Sequence, residues 1–563
     1  MPDILTMPPG EVLRKKRALL RELSAGGVFT PVRIALLSSS TVGELENILR
    51  LYLLAHGVEP VFFAGQYDRW YEEAAFGDAA LTGFQPDIVY IHTSFRNLGD
   101  PDEMFSKLET AWAALGCAIV QNNFEMPPFR VMGNRDASHG LLSRVEELNR
   151  SIVLHAASHS RFYVNDIHWL SAWFGLERWF DDALWYTAKY AMSLEALVLL
   201  CRNLANIVKS LLGKNKKALA LDLDNTLWGG IVGDDGADAL EQTADTPNGM
   251  AFLDFQKYLK QVSALGIPLN IVSKNSEDAA LAGLSRAYLK REDIVCFYAN
   301  WDGKDKSLRA VARDLNIGAD SIVFVDDNPA ERELVRQSLP DTAVPEITSP
   351  ETMIRTLDAA GYFEITALTE DDRARVAAYQ AEQERKKEER SFSDYSEYLR
   401  SLRMTASFEP VSAGNAARVT QLINKTNQFN LTARRCPESE IAALPDDPGT
   451  VALCGRLADR FGDHGLVTVL IASLQGETAE IDVWVMSCRV FKRGLEYAAL
   501  RRLLELLRER GVKTVRGVYL PTGKNQPVET LYRDLGFSGG DGGVWTAAIN
   551  DIMIPETFMG VGG

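Results

Sequence analysis

Short apolar runs and longer periodic segments alternate along the first third of the chain. The runs are VRIALL at 32–37, DIVYIHT at 87–93 and CAIVQNNF at 117–124, and the segment ELENILRLYLLAHG after the first run has helical spacing. Continuous apolar strands that alternate with helices are typical of a parallel sheet covered on both faces. The pattern therefore predicts a doubly wound first domain over residues 1–210.

The same alternation returns in the middle of the chain. The apolar runs ALALDLD, IPLNIVS and SIVFVDD are separated by helical segments such as MAFLDFQKYLKQVSALG. They predict a second doubly wound domain over residues 211–365. The charged stretch that follows has few apolar positions, so residues 366–402 are predicted to form a solvated helical connector.

The last part of the chain has a different pattern. The strand-like runs VALCGRLA, LVTVLIASL and AEIDVWVMSC come close together and precede the amphipathic segment YAALRRLLELLRERG. Consecutive strands followed by such a helix predict a mixed sheet with a helix packed on it, over residues 403–563. The predicted fold class of the whole chain is α/β.

Composition narrows the function classes. The chain has 563 residues, 46% of them hydrophobic, and a net charge of -16 at pH 7, which argues against nucleic acid or an anionic membrane as the main partner. The start of the chain lacks the apolar stretch of a secretory signal, and no later run is long enough to span a bilayer, so we expect a cytoplasmic protein. The 6 cysteines are scattered without paired spacing, which indicates neither a disulfide framework nor a zinc site.

Four carboxylates are predicted to meet at one edge of the second domain's sheet. Asp222 and Asp224 occupy alternate positions at the end of the strand ALALDLD, so both side chains emerge on the same side. Asp326 and Asp327 follow the strand SIVFV, and the carboxyl ends of parallel strands share one edge, where ligands bind. Carboxylates brought together there repel one another unless a hard cation balances them, which predicts a Mg²⁺ site.

Two further segments complete this constellation. IVSKN brings Ser273 to the end of a third strand, with Asn275 in the same motif, and WDGK puts Lys304 before a helix. A lysine beside a carboxylate nucleophile suppresses its repulsion from a dianionic phosphate. The four elements in this order predict phosphoryl transfer.

The motifs DLDNT, SKN, the lysine of WDGK and VDDNP resemble the four motifs of the haloacid dehalogenase superfamily. The resemblance implies that Asp222 is the nucleophile, which becomes an aspartyl phosphate, and that Asp224 is the general acid and then the general base. It also implies that Mg²⁺ is held by Asp222, the backbone carbonyl of Asp224, and Asp326, with Asp327 assisting. The residues implied to bind the phosphorylated substrate are Thr226, Ser273, Asn275 and Lys304.

A narrower resemblance covers nearly the whole chain. The strings LDLDNTLWGGIVGDDG, NWDGK and LNIGADSIVFVDDNPAERE, with RIALLSSST and WVMSCRVFKRGLE near the two ends, are similar to the FkbH-like branch of that superfamily. The resemblance implies a phosphatase and glyceryl transferase. Such a protein takes 1,3-bisphosphoglycerate, a small phosphorylated three-carbon substrate, and loads the glyceryl group as a thioester onto an acyl carrier protein for polyketide-type biosynthesis.

The N-terminal domain resembles the SGNH-hydrolase fold, with SSST at a strand end and Asp166 and His168 in DIH. It departs from the pattern of the active enzymes at two points. No Gly-Asp pair precedes Ser40, and Asp166 and His168 are one residue too close together. We therefore expect a structural or carrier-docking domain rather than a working esterase.

The C-terminal domain resembles GNAT acyltransferases, with CRVFKRGLEYAALRRLL as the phosphate-binding loop and its helix. By this resemblance Arg489, Arg493 and Gly494 would hold the phosphate on the phosphopantetheine arm of the carrier protein, because amides at a helix start bind phosphate. Lys492 stands where the first loop glycine is expected, which argues against free acyl-CoA.

A thiol is needed to accept the acyl group, and our hypothesis is Cys488. It follows the strand IDVWVMS and precedes the loop, where helix-start amides and basic side chains lower the pKa of a thiol. The alternative is a cysteine that packs under the loop, and Cys436 and Cys296 are then the next candidates. Two other functions stay open: a phosphatase fused to a CoA-dependent N-acyltransferase, and a non-catalytic scaffold.

Overall fold

The computed structural model of the chain describes residues 4–25, 29–389, 392 and 394–562. Helices and strands alternate through most of this range, as the apolar pattern predicts. Among the described helices, none combines the length and the apolar composition that crossing a bilayer requires.

The described chain divides into two compact units. The first contains the residues up to Asn215 together with Ile354–Thr366, and the second contains Lys216–Met353 and the residues from Ala367 onward. The second unit thus holds most of the predicted phosphatase domain together with the predicted C-terminal domain. The four domain ranges given above stay predictions.

A parallel sheet forms the centre of the first unit. Its described strands are β1 (Thr30–Ser38), β2 (Val58–Ala64), β3 (Ile88–His92), β4 (Ala118–Asn122) and β5 (Phe162–Asn165). They lie in the order β2-β1-β3-β4-β5, and all neighbouring pairs are parallel. Strand β3 is buried along its whole length, as a strand covered on both faces must be.

Helices follow the strands of the first unit and cover the sheet. Two of them, at 101–114 and 141–158, share one apolar core with the strands. The described helices are α1 (Pro9–Ser24), α2 (Gly43–Ala55), α3 (Trp70–Ala75), α4 (Ala79–Phe84), α5 (Pro101–Ala114), α6 (Asp136–His139), α7 (Leu141–Ser158), α8 (Ile167–Phe174), α9 (Leu176–Trp179), α10 (Asp182–Ala188) and α11 (Leu194–Leu211).

A second parallel sheet opens the second unit. Its described strands are β6 (Ala218–Leu221), β7 (Leu269–Ser273), β8 (Ile294–Ala299) and β9 (Ile322–Val325). Their order is β8-β7-β6-β9, all parallel, so the carboxyl ends of the central strands meet at one edge. The helices of this region are α12 (Val232–Asp235), α13 (Pro247–Ala264), α14 (Glu277–Arg286), α15 (Lys304–Asp314) and α16 (Pro329–Ser338). The next helix, α17 (Met353–Ala360), belongs to the first unit from Ile354 onward.

The connector is helical, and two of its residues are buried rather than solvated. Its described helices are α18 (Glu370–Arg373), α19 (Arg375–Glu389) and α20 (Tyr395–Ser401). Tyr379 of α19 is buried in the apolar core behind the second parallel sheet. Arg385 is 1% exposed, and its Nη2 donates to Asp459 Oδ1 at 2.7 Å. A charged residue in a buried ion pair looks like a surface residue in the sequence, because its partner is distant along the chain.

The C-terminal part forms one mixed sheet. Its described strands are β10 (Met404–Pro410), β11 (Thr450–Asp459), β12 (Gly462–Gln475), β13 (Thr478–Met486), β14 (Thr514–Val518), β15 (Ser538–Gly539), β16 (Val544–Ala548) and β17 (Met559–Gly562). They lie in the order β15-β16-β14-β13-β12-β11-β10-β17, with β10 parallel to β17 and β13 parallel to β14. The helices are α21 (Ala416–Lys425), α22 (Glu438–Ala443), α23 (Leu495–Glu509) and α24 (Leu531–Asp534).

Strands β13 and β14 separate after they pair over Thr478–Ile481, and the chain itself fills the opening. The segment Phe429–Leu431 lies between them. The amide of Leu431 donates to the carbonyl of Trp484 at 3.3 Å, and the amide of Leu520 donates to the carbonyl of Leu431 at 2.8 Å. The segment thus pairs with backbone groups that two diverging strands would otherwise leave without partners.

These sheets confirm the predicted fold class. Two parallel sheets with helices are followed by one mixed sheet against which α23 packs its apolar residues. The fold class could be predicted from the pattern alone. Continuous apolar runs that alternate with helices give parallel sheets, whereas consecutive strands followed by a helix give a mixed sheet.

The first prediction concerns the buried ion pair of the connector. We expect Arg385→Met to lower the free energy of unfolding by about 3 kcal/mol, because Asp459 is left buried without one of its cationic partners. Burial alone would raise the pKa of Asp459, but hydrogen bonds from His464 and Arg385 hold that pKa well below its ordinary value. Urea unfolding followed by fluorescence measures the change. The control is Arg373→Ala, since Arg373 is exposed on the same connector; an equal loss in both variants would contradict the prediction.

Candidate active site

Asp222 lies directly after β6, and a lysine holds one of its carboxylate oxygens. Lys304, the first residue of α15, brings its Nζ to 2.8 Å from Asp222 Oδ2 and also pairs with Asp326. The other oxygen, Asp222 Oδ1, is buried and has no hydrogen-bond partner among the described residues. An oriented carboxylate with one unengaged oxygen beside an ammonium group is suited to nucleophilic attack on an electron-poor centre.

Three carboxylates converge at this edge of the sheet. Oxygen atoms of Asp222, Asp326 and Asp327 lie within 4.8 Å of one another. Asp326 and Asp327 follow β9, the neighbour of β6, which is why the sequence separation of about a hundred residues disappears in space. A cation with ligand distances of about 2.1 Å, such as Mg²⁺, fits a set of hard oxygen donors of this kind.

Thr226 ties the two strand ends together. The amide of Asp327 donates to Thr226 Oγ1 at 3.0 Å, and the Thr226 hydroxyl lies 3.4 Å from Asp327 Oδ1. Thr226 is fully buried, and its side chain stabilises the loop that carries Asp327. The phosphoryl-binding role implied for Thr226 stays a prediction.

Asp224 is held by donors from two segments. Its Oδ1 accepts hydrogen bonds from Trp228 Nε1 at 2.9 Å and from the Val232 amide at 3.1 Å. Its Oδ2 accepts one from Asn275 Nδ2 at 2.9 Å, and the same amide nitrogen lies 3.1 Å from Ser273 Oγ. The predicted residues Asp224, Asn275 and Ser273 are therefore brought together, with Ser273 buried at the end of β7.

Sequence reasoning did not connect Trp228 and Val232 with Asp224. The chain turns sharply after Asp224, because Asn225 has a φ of 53°, a left-handed conformation that asparagine tolerates better than most residues. The turn returns the indole and the amide to the carboxylate. An asparagine followed by the glycine pair of LWGG is the only local signal of such a turn.

Burial and charge shift the pKa values of these groups in opposing directions. Burial raises the pKa of Asp222, Lys304 opposes that shift, and Asp326 adds to it. Burial, and then Asp222, raises the pKa of Asp327. Burial alone would lower the pKa of Lys304, but its attraction to Asp222 and Asp326 outweighs burial and raises it. Lys304 is therefore protonated at neutral pH, and one ammonium group faces three acids.

The N-terminal residues that resemble a hydrolase triad have other partners. Ser40 is buried, and its Oγ lies 3.3 Å from Ser38 Oγ. Asp166 Oδ1 accepts from Asn123 Nδ2 at 2.7 Å and caps α8, while His168 Nδ1 lies 3.3 Å from an amide nitrogen. In the described part of the chain neither Ser40 nor Asp166 is hydrogen-bonded to the ring of His168. This geometry agrees with the expectation of a domain without a working triad.

The three candidate thiols differ in exposure. Cys436 and Cys296 are buried, whereas Cys488 is half-buried. Burial, with a smaller contribution from Glu440, raises the pKa of Cys436 to about 11, which makes it a poor nucleophile at neutral pH. The exposure of Cys488 thus favours it over the other two.

Cys488 lies at the far end of the second parallel sheet from Asp222. Asn316, which follows α15, donates to the Cys488 carbonyl at 2.8 Å, and Lys217 is near enough for its charge to interact with the thiol. Lys217 directly precedes β6 and Asp222 directly follows it, a separation of about 16 Å along an extended strand. The structure does not bring Cys488 and Asp222 into one site.

The three predicted binding residues of the loop after β13 differ from one another in their conformation and contacts. Gly494 has a φ of 81°, a left-handed conformation that favours glycine, and precedes α23 directly. Arg489 Nε donates to Ser487 Oγ at 3.3 Å. Arg493 is 5% exposed and turned inward, where Nη1 donates to Asp459 Oδ2 at 3.1 Å. The roles predicted for these residues at a carrier phosphate stay predictions, and the inward turn of Arg493 weighs against its own.

No protein-family model and no curated protein matches the chain. Among solved structures, the chain is similar to the N-terminal part of the protein BF1531 from Bacteroides fragilis, which contains a phosphatase domain and was crystallised with Mg: 26% identity, 64% of this chain, 100% of that chain and a TM-score of 0.60.

Over 26% of its length the chain is also similar to an acetyltransferase of the GNAT family from Staphylococcus aureus, with 8% identity, 99% of that chain and a TM-score of 0.21. A third match, PaiA N-acetyltransferase from Thermoplasma acidophilum in complex with coenzyme A, covers 25% of this chain and 98% of that chain at 12% identity and a TM-score of 0.20. Of these three matches, the phosphatase-domain match covers the largest share of the chain.

Proposed function

We propose that the chain is a Mg²⁺-dependent phosphatase of the haloacid dehalogenase type, with Asp222 as its nucleophile. One observation carries the proposal. Asp222 ends a buried strand with one oxygen held by Lys304, while the other is buried and unengaged beside Asp326 and Asp327. The similarity to a phosphatase domain crystallised with Mg supports it.

The residues of the site divide the work of phosphate ester hydrolysis. Asp222 Oδ1 attacks phosphorus, the bond from phosphorus to the ester oxygen breaks, and Asp224 gives a proton to the leaving oxygen. Water then attacks the aspartyl phosphate and passes a proton to Asp224, which releases phosphate and restores Asp222. Asp222, Asp326 and Asp327 would hold Mg²⁺, which would neutralise charge at the phosphoryl oxygens.

The geometry around Asp224 suits the second half of this cycle. Its carboxylate accepts three hydrogen bonds in the described conformation, and these hold the proton-accepting group in one orientation. To give a proton to the leaving oxygen, Asp224 must turn away from at least one donor. Trp228 and Val232 belong to the turn after Asp224, so movement of that turn frees the carboxylate.

We extend the proposal to the glyceryl transfer that the FkbH-like resemblance implies. The substrate is 1,3-bisphosphoglycerate: a thiolate attacks its acyl carbon, the bond from that carbon to the phosphate oxygen breaks, and inorganic phosphate leaves. In a separate step, before or after this one, the other phosphate group, an ester, is hydrolysed at Asp222. The glyceryl thioester then passes to the thiol of an acyl carrier protein. Cys488 is the proposed enzyme thiol, supported by its exposure relative to Cys436 and Cys296.

The placement of Cys488 and Asp222 gives this proposal a consequence. Cys488 is near Lys217, and Lys217 and Asp222 lie at opposite ends of β6, so a small molecule cannot contact both Cys488 and Asp222 across the packed sheet. The phosphate ester is therefore hydrolysed either before the acyl group reaches the thiol of Cys488 or after the group has passed to the long arm of the carrier protein.

The two other candidate functions have less support. A CoA-dependent acyltransferase would need an accessible ligand site on the C-terminal sheet, but Phe429–Leu431 fills the opening between β13 and β14 and Arg493 is buried. A non-catalytic scaffold would not need Asp222 and Lys304 to be kept in contact.

The second prediction tests the nucleophile. Asp222→Asn should reduce phosphate release from a small phosphate ester by at least about 10³-fold, because the amide is nearly isosteric but a poor nucleophile. A malachite-green assay of the purified full chain, with and without EDTA, measures it. Asp238→Asn is the control, since Asp238 is exposed and pairs only with an arginine at the surface. Near-normal release by Asp222→Asn, or undiminished release after EDTA, would reject the phosphatase.

The third prediction tests the metal site through protein stability, independently of phosphate hydrolysis. The raised pKa of Asp327 means that its ionised form costs folding free energy at every pH above its ordinary range. Asp327→Asn should therefore raise the Tm of the metal-free protein by roughly 2 °C at pH 7 and by less near pH 4, where the carboxyl group protonates. Added Mg²⁺ should raise the Tm of the wild type and not that of the variant. Calorimetry that shows the opposite order would contradict the site.

The fourth prediction tests the thiol. After incubation with 1,3-bisphosphoglycerate and Mg²⁺, intact-mass spectrometry should find a glyceryl adduct on the wild type that a phosphopantetheinylated carrier protein removes. Cys488→Ala should lose the adduct and keep phosphate release from a small ester. Cys117→Ala, at the other half-buried cysteine, is the control and should keep both. An adduct on Cys488→Ala would transfer the role to Cys436 or Cys296.

A further inference from the structure

The loop between β9 and α16 carries two of the three converging acids, and one arginine donates hydrogen bonds to its backbone. Arg332 Nη1 donates to the backbone carbonyl of Asp326 at 2.9 Å and to that of Asp327 at 2.6 Å. Its Nη2 pairs with Glu346 Oε2 at 3.1 Å. The side chain is 7% exposed, so water competes little for these carbonyls.

The loop needs these hydrogen bonds because its carboxylate side chains repel one another. Asp326 and Asp327 are adjacent in the chain, and their oxygens approach those of Asp222 within 4.8 Å. Rotation of the peptide between them would relieve the repulsion and carry one carboxylate away. A guanidinium group that donates to two consecutive carbonyls opposes that rotation, and it stays charged at any pH at which proteins fold.

The remaining hydrogen bonds of the loop engage its amide groups, whereas Arg332 engages its carbonyl groups. Asp326 Oδ1 accepts from the Asn328 amide at 2.8 Å, and the Asp327 amide donates to Thr226 at 3.0 Å. Both of these bonds use amides as donors. The carbonyl oxygens of Asp326 and Asp327 have Arg332 as their side-chain donor.

We propose that Arg332 is the positioning residue of the metal site: it holds the backbone of Asp326 and Asp327 so that both carboxylates meet Asp222 at a spacing that one divalent cation bridges. The proposal rests on the metal-dependent phosphatase proposed above. Arg332 contacts neither substrate nor metal, and it acts through the two backbone carbonyls. Partners that orient metal ligands in this way typically change metal affinity by about 10- to 100-fold when they are removed.

The helix itself provides a matched control. Arg336 lies one turn after Arg332 on α16 and pairs with the same acid, Glu346, at 2.5 Å. Arg336 also donates to the carbonyl of Val344 at 2.9 Å and pairs with Glu333 at 3.9 Å. None of its hydrogen bonds or ion pairs with the described residues reaches the aspartate loop. Arg332→Gln and Arg336→Gln thus both remove a cation from α16 and a bond to Glu346, and only the first releases the carbonyls of Asp326 and Asp327.

The experiment measures metal binding without turnover. Mn²⁺ is titrated into the full chain, and free Mn²⁺ is followed by electron paramagnetic resonance. We expect the Kd of Arg332→Gln to rise by about 10- to 100-fold and that of Arg336→Gln to stay within about twofold of the wild type. In phosphate release, the half-saturating Mg²⁺ concentration of Arg332→Gln should rise by the same factor, while kcat at saturating Mg²⁺ stays within about threefold.

An unchanged Kd in Arg332→Gln, or an equal loss in Arg336→Gln, overturns the proposal. If Arg332→Gln does not fold, Arg332→Lys decides, because an ammonium group keeps the charge and reaches the carbonyls with poorer geometry. It should bind Mn²⁺ with intermediate affinity, and wild-type affinity would overturn the proposal. A wild type that binds Mn²⁺ but releases no phosphate rejects the phosphatase and leaves the comparison valid. A wild type that binds no Mn²⁺ rejects both.

Discussion

Repulsion between three carboxylates at one sheet edge is the constraint on which the rest of this region depends. Two unit charges 4 Å apart repel by roughly 4 kcal/mol at the effective dielectric constant of a protein surface. Asp222, Asp326 and Asp327 are nearly that close, and two of them are buried. Without a rigid scaffold around this sheet edge, the repulsion would drive the three carboxylates apart.

The scaffold holds the acids by several independent means. β6 and β9 are paired in parallel register and buried along their full length, so neither strand end can shift alone. Lys304 inserts its ammonium group between two of the acids. Helices α15 and α16 both begin at this edge, and their positive ends favour negative charge there. The geometry of the site is thus a property of the whole four-stranded layer.

Much of this site was predictable from the sequence, because the signals lie in short stretches of neighbouring residues. Asp222, Ser273 and Asp326 end apolar runs, and a parallel sheet converts strand ends into neighbours. The contacts of Trp228 with Asp224 and the burial of Arg385 were not predictable. The first depends on a turn whose dihedral angles the letters do not reveal, and the second on Asp459, a partner far along the chain that only tertiary packing brings near.

The filled opening of the C-terminal sheet changes what a binding measurement on this domain would mean. Phe429–Leu431 belongs to the same chain and is hydrogen-bonded to the strands it separates. It therefore competes with any extended ligand for this opening, at an effective concentration of about millimolar or more. A ligand that enters between β13 and β14 must first expel it, and its apparent affinity falls by the fraction of molecules in which the segment is out. Weak binding there would report the occupancy of that segment as much as the chemistry of the ligand.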